Sequence, residues 1–116
     1  MTFTLRWTPT ARAQYDVLRE AASKARATRE ATGKTKSSRQ EALFGQVRKP
    51  LRLLAENPRH PGLQTHAYRS IENPFDPKGK VFEAYTQQHT PGAYRVFWCY
   101  GPGQGEMTVL AITPHP

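Results

Sequence analysis

The sequence predicts an α+β domain: an N-terminal strand, an antiparallel hairpin of two helices, then three to four mainly antiparallel strands, with the helices on one face of the sheet. Three observations predict it. Apolar residues alternate over residues 2–7, and they recur at helical steps of three and four from Ala11 to Leu54. The short stretches 89–92 and 101–105 separate three β-rich runs near the C-terminus, and such short connections join antiparallel neighbours. With 116 residues, the chain has the size of a single domain spanning 1–116.

The first strand carries Phe3, Leu5 and Trp7 on one side and Thr2, Thr4 and Arg6 on the other, the pattern of a half-buried strand. Thr8 and Pro9 then read as an N-cap followed by proline at the first helical position. Ala11, Tyr15, Leu18, Ala22 and Ala25 form the apolar stripe of a helix reaching about Thr32. Its far end, rich in Ala and Arg, has few apolar contacts to make and is expected to fray or extend into solvent. Gly33 stops it. Ser38 and Glu41 match a capping box at the start of a second helix, whose apolar positions are Phe44, Val47, Leu51 and Leu54. Pro50 lies inside that helix, where a missing N–H and a bulky ring are expected to kink or break it.

Asn57 and Pro58 end the second helix. Residues 59–62 form a turn, residues 63–71 the weakest strand candidate, and residues 73–79 a loop. Strands are expected over 80–87, 92–100 and 106–113. In the middle one Tyr94, Val96, Trp98 and Tyr100 share one face, and Ala93, Arg95, Phe97 and Cys99 the other. In the last one Leu110 and Ile112 are expected to share a face with Thr108.

Composition narrows the function. Hydrophobic residues at 37% and aromatics at 10% suit a folded domain. The net charge is +8 and uneven: residues 1–56 hold 12 Lys and Arg against 5 Asp and Glu, and residues 57–116 hold 5 against 4. The basic half favours a polyanion or an acidic protein partner, with a solvated helical face as the plain alternative. The single cysteine, Cys99, has no partner for an internal disulfide, so a reducing cytosol is the expected compartment. No apolar run of signal-peptide length opens the chain, and none approaches the roughly 20 residues of a membrane span.

Few side chains carry chemistry. Arg95 stands in an aromatic strand, either as a structural ion pair with Glu83 or Glu106, or as a phosphate contact able to stabilise charge on a pentavalent transition state. His115 is next to last, and histidine is suited to proton transfer near neutral pH; His66, His89 and His60 are further candidates. No His, Cys, Asp or Glu spacing matches a metal pattern, so no metal and no cofactor is expected. Cys99 has no nucleophile motif around it and reads as a small hydrophobe. Lys78 and Lys80, with Tyr85, Phe97 and Tyr68 as stacking rings or as core, suit single-stranded nucleic acid.

Three phrases then carry a resemblance: Leu54-Ala-Glu-Asn-Pro-Arg-His-Pro-Gly-Leu63, Ala93-Tyr-Arg-Val-Phe-Trp98 and Val109-Leu-Ala-Ile-Thr-Pro-His115. With the strand–helix–helix–sheet order, the chain resembles the RelE/ParE superfamily of toxins from type II toxin–antitoxin pairs. The resemblance implies a cytoplasmic bacterial toxin held by a cognate antitoxin. RelE-type members cleave mRNA, usually on the ribosome, through attack of the 2′-hydroxyl on the adjacent phosphate without a metal. It assigns Arg95 to the transition state and His115 to acid–base work, with His66 and Glu83 as further candidates for the base. Lys78, Lys80, Tyr85 and Arg59 are the expected substrate and phosphate contacts. ParE-type members instead poison DNA gyrase; a non-catalytic basic RNA- or protein-binding module is the remaining reading.

Overall fold

The alternating segments from the two ends of the chain come together in one sheet. In the computed structural model, which describes residues 2–34, 38–85 and 93–114, the elements are β1 (Thr4–Trp7), α1 (Pro9–Ala31), α2 (Arg39–Glu56), a 3-10 turn (Pro61–Leu63), β2 (His66–Ala67), β3 (Phe82–Ala84), β4 (Tyr94–Tyr100) and β5 (Glu106–Pro114). The sheet order is β1-β5-β4-β3-β2. The later strands pair antiparallel, whereas β1 lies parallel to β5, with Thr4 opposite Glu106 and Trp7 opposite Val109. A parallel neighbour needs a long connection, which here contains both helices. The fold is α+β with the helices on one side of the sheet, as the sequence predicts.

Both helix starts follow from their caps. The Thr8 hydroxyl accepts from the Ala11 N–H and donates to the Leu110 carbonyl at 2.9 Å. Beyond Trp7, where β1 stops, the Gln14 side chain accepts from the Ile112 N–H at 2.7 Å. Thr8, the cap of α1, and Gln14 within it thus satisfy backbone groups of β5 that β1 no longer reaches. Ala11 of α1 and Val47, Leu51 and Leu54 of α2 pack on Ala84, Val96, Trp98, Met107, Val109 and Ile112. No helix among the described residues is long and apolar enough to cross a membrane.

Four expectations are corrected. Pro50 does not break α2, which is continuous from Arg39 to Glu56; the ring is fully buried, and buried Val47, Leu51 and Leu54 hold the turns on either side. The candidate strand over 63–71 shrinks to the two residues of β2, because the chain first makes the 3-10 turn and Gln64 takes a left-handed conformation (φ 49°). Within the described residues, the strand expected over 80–87 is confined to β3. Leu110 and Ile112 do not share a face. The β4–β5 register slips between Phe97 and Trp98, which pair with Ala111 and Val109. This bulge inserts one residue and resets the alternation, so Met107, Val109 and Ile112 face the helices while Leu110 and Ala111 join the opposite side.

The end of α1 is tied rather than free. Arg29 donates to both Glu41 oxygens, at 2.9 and 3.0 Å, linking the last turn of α1 to the capping box of α2. The Arg29 guanidinium, with the Ser38 N–H, holds the Glu41 carboxyl down at about 2 against its usual 4.5. A carboxylate depressed by folding contributes stability above its unfolded pKa and loses it as the pH falls towards the folded value. The melting temperature is therefore expected to fall between pH 4.5 and about 2, and Glu41→Gln is expected to lower it at neutral pH and flatten that acid decline. An acid decline identical in the variant would remove the clamp from the account.

Candidate functional site

The side of the sheet away from the helices carries the polar cluster. Glu83, the middle residue of β3, lies opposite His66 of β2 and opposite Phe97 of β4. Arg95 stands two residues before Phe97 on the same face, the diagonal position that a long side chain can span. Its Nη1 donates to Glu83 Oε2 at 2.7 Å, and His66 Nε2 meets Glu83 Oε1 at 2.8 Å. One carboxylate therefore joins an arginine and a histidine across three strands. Glu83 is buried, the Arg95 side chain is 16% exposed, and that of His66 is 51% exposed. The cluster is thus a shielded anion with two cationic or proton-bearing groups above it.

Each group is held in place. The guanidinium carbon of Arg95 lies 5.0 Å from the Phe97 ring centre and 6.0 Å from that of Tyr68, and the two rings are themselves 4.6 Å apart. Aromatic faces attract a cation and leave its edges free to donate. Arg95 Nε has no partner among the described residues. His66 Nδ1 faces the Gln64 carbonyl at 3.1 Å, and the left-handed Gln64 at the end of the 3-10 turn sets that geometry. Both ring nitrogens of His66 thus face acceptors, an arrangement fully satisfied by an imidazolium that donates from both. Tyr85 packs edge-on against the same ring, with centres 5.8 Å apart.

Of the residues singled out from the sequence, the structure brings together Arg95, Glu83, His66, Tyr85, Phe97 and Tyr68. Of the two ion-pair partners considered for Arg95, Glu83 holds it, while Glu106 pairs with Arg6 at 2.9 Å. Both Glu83 oxygens are engaged, which suits a carboxylate that orients its neighbours better than one that collects protons. Lys80 lines a cleft of about 520 Å³ that shares Tyr68 and Val81 with this face; the exposed Lys78 sits in the adjoining loop. Neither lysine makes a hydrogen bond or ion pair with the cluster among the described residues. Arg59 lies on the other side of the sheet, beside a second cleft. His115 and His89 fall outside the described residues. Cys99 is buried beneath the open face, and burial pushes its thiol up, away from nucleophilic use.

Tyr68, one of the candidate stacking rings, serves here as a cation–π partner of Arg95. One feature of the site escapes sequence reading. Asn73 shapes the loop before β3: its side chain donates to the Lys80 carbonyl and accepts from the Phe75 N–H at 2.9 Å. An Asn followed by Pro and a turn seven residues before a lysine was the available signal, and it marks a loop without saying what the loop holds.

No family model matches the sequence, and no curated protein does. Two solved structures are similar in fold. The YoeB/ParE toxin from Agrobacterium tumefaciens aligns with a TM-score of 0.59 at 10% identity, over 97% of this chain and 99% of that one. A chain of the archaeal RelE-RelB complex from Pyrococcus horikoshii OT3 aligns with a TM-score of 0.53 at 12% identity, over 98% of this chain and 96% of that one. At these identities the likeness is one of fold, and it runs over nearly the whole of each chain.

Proposed function

Given a chain with the RelE/ParE toxin fold, we propose that it is the toxin of a toxin–antitoxin pair and a ribosome-dependent, metal-independent mRNA endonuclease. The observation that carries the reading is the Arg95–Glu83–His66 cluster on the open face of the sheet. The RNA 2′-oxygen attacks the adjacent phosphorus, its proton passes to a base, and the 5′-oxygen leaves as it gains a proton. The strand ends as a cyclic 2′,3′-phosphate and a 5′-hydroxyl. Arg95 offers the guanidinium edge not bound to Glu83 to the charge gathering on the non-bridging oxygens. Glu83 orients Arg95 and His66, and His66, as the imidazolium, donates its Nε2 proton to the leaving oxygen as its contact with Glu83 is released. His115 stays a candidate for the complementary proton transfer. Lys78, Lys80 and Tyr85 serve the flanking phosphates and bases.

Primer extension on an mRNA in a cell-free translation reaction tests the reading. New cuts should appear with translating ribosomes and be absent without them. Affinity for ribosomes or RNA is expected to fall about tenfold or more between about 50 and 200 mM salt, since phosphate contacts release counterions. Flat affinity over that range would point to an apolar protein target. The tight Arg95–Glu83 contact also favours the second reading, in which Arg95 is a structural pair and the chain inhibits DNA gyrase; inhibited supercoiling without mRNA cuts would establish it.

The antitoxin is proposed to be an acidic, amphipathic segment. The basic first half of the chain supports this, as does an apolar groove of about 350 Å³ in which Val17 and Leu18 of α1 meet Tyr94 and Ile112. Val17 is 67% exposed there.

A further inference from the structure

On the helix-bearing side of the sheet, the turn after α2 and the ends of β3 and β4 enclose a cleft of about 500 Å³, within the range of small-ligand sites. Phe82 and Tyr100 supply aromatic walls, Trp98 and Thr65 line it, and Arg59 and His60 stand beside them. No carboxylate among the described residues lines it. Trp98 is 1% exposed, yet its Nε1–H has no hydrogen-bond partner among the described residues, and neither has Thr65 Oγ1. Buried polar atoms are nearly always paired, and each orphan costs stability. Two of the four such atoms found among the described residues, the others being Asp16 Oδ1 and Arg95 Nε, belong to residues that line this one cleft, where a ligand could supply the missing partners.

We propose that this cleft binds a nucleotide, free or within a single strand of RNA. The inference does not rest on the cleavage reading, because the Arg95 cluster lies on the opposite face of the sheet. The lining is rich in donors: Trp98 Nε1–H, the Thr65 hydroxyl and His60, whose Nδ1 accepts from the Gly62 N–H at 2.9 Å and so leaves Nε2 as the N–H of the neutral ring. Donors of this kind suit the carbonyl and ring-nitrogen acceptors of a base, and the aromatic walls suit its π-face. Arg59, exposed at the rim, suits the phosphate. Solvent does not reach the two orphan atoms, so a base edge that meets them requires the cleft lining to part.

Isothermal titration of the full chain with adenosine monophosphate, adenosine and a short single-stranded RNA tests the proposal. Saturable binding of the monophosphate or of the RNA is expected, and the two arms distinguish a free nucleotide from a strand. Thr65→Val keeps the side-chain shape, so the fold should hold with an unchanged or higher melting temperature, while affinity drops about tenfold. Arg59→Ala should weaken the monophosphate about tenfold or more and leave adenosine unaffected. Arg95→Ala should leave monophosphate binding intact, so loss of cleavage and loss of this site are separable. No saturable heat with any of the three probes, or wild-type affinity in both Thr65→Val and Arg59→Ala, overturns the proposal and leaves the orphan atoms to buried water.

Discussion

Arg95→Ala is expected to lower mRNA cleavage by roughly 100- to 1,000-fold while the protein stays folded, the loss of about 2.7–4 kcal/mol seen when one donor to a developing oxyanion is removed. The guanidinium is the strongest candidate donor on the open face. It is pre-positioned by the 2.7 Å bond to Glu83 and by the rings of Phe97 and Tyr68, so little reorganisation is required as charge develops. The variant also leaves the buried Glu83 carboxylate with His66 alone, and removing one partner of a buried pair costs on the order of 3–5 kcal/mol. The informative comparison therefore adds Arg95→Ala/Glu83→Gln, in which the stranded charge is gone. If circular dichroism shows the double variant folded with stability regained, and primer extension shows no cuts while Glu83→Gln alone still cuts, Arg95 acts on the phosphate. A folded double variant that cuts at the wild-type rate removes Arg95 from the site.

Leu54→Ala should destabilise the protein by about 2–5 kcal/mol, with a fall in melting temperature on the order of 10 °C. Leu54 has no exposed surface and belongs to the cluster joining α2 to Val96 and Trp98 of β4. The cavity would open beneath the strand that carries Arg95, so activity at raised temperature should fall with the fold. Leu18→Ala, at a half-buried position on α1, should cost less. An unchanged melting temperature for Leu54→Ala, read by thermal unfolding at neutral pH, would place Leu54 outside the core.

The helices were legible because their signals are local. Thr8, Pro9, Ser38 and Glu41 satisfy backbone groups only a few residues away, and the apolar stripes need only the helical period. The two-faced pattern of β4 was legible for the same reason. Pro50 misled because its cost is local while the burial that offsets it is not. The fate of residues 63–71 turned on Gln64, a left-handed residue that no pattern marks.

The candidate site divides in the same way. Arg95, Glu83 and His66 each stood out as a residue type in a β-rich run. Their union depends on which strands are neighbours and in what register: Glu83 opposite Phe97, His66 opposite Glu83, Arg95 on the diagonal. The sequence by itself determined the α+β class, both helix starts, the basic first half and the side of β4 on which Arg95 lies, because each follows from spacings of a few residues or from summed charge. Only the tertiary structure decided that β1 lies parallel to β5, that a bulge resets the faces of β5, and that one buried carboxylate joins Arg95 to His66. Those outcomes are set by pairings between residues far apart in the chain, and a single sequence carries no local energy term that selects a partner or a register.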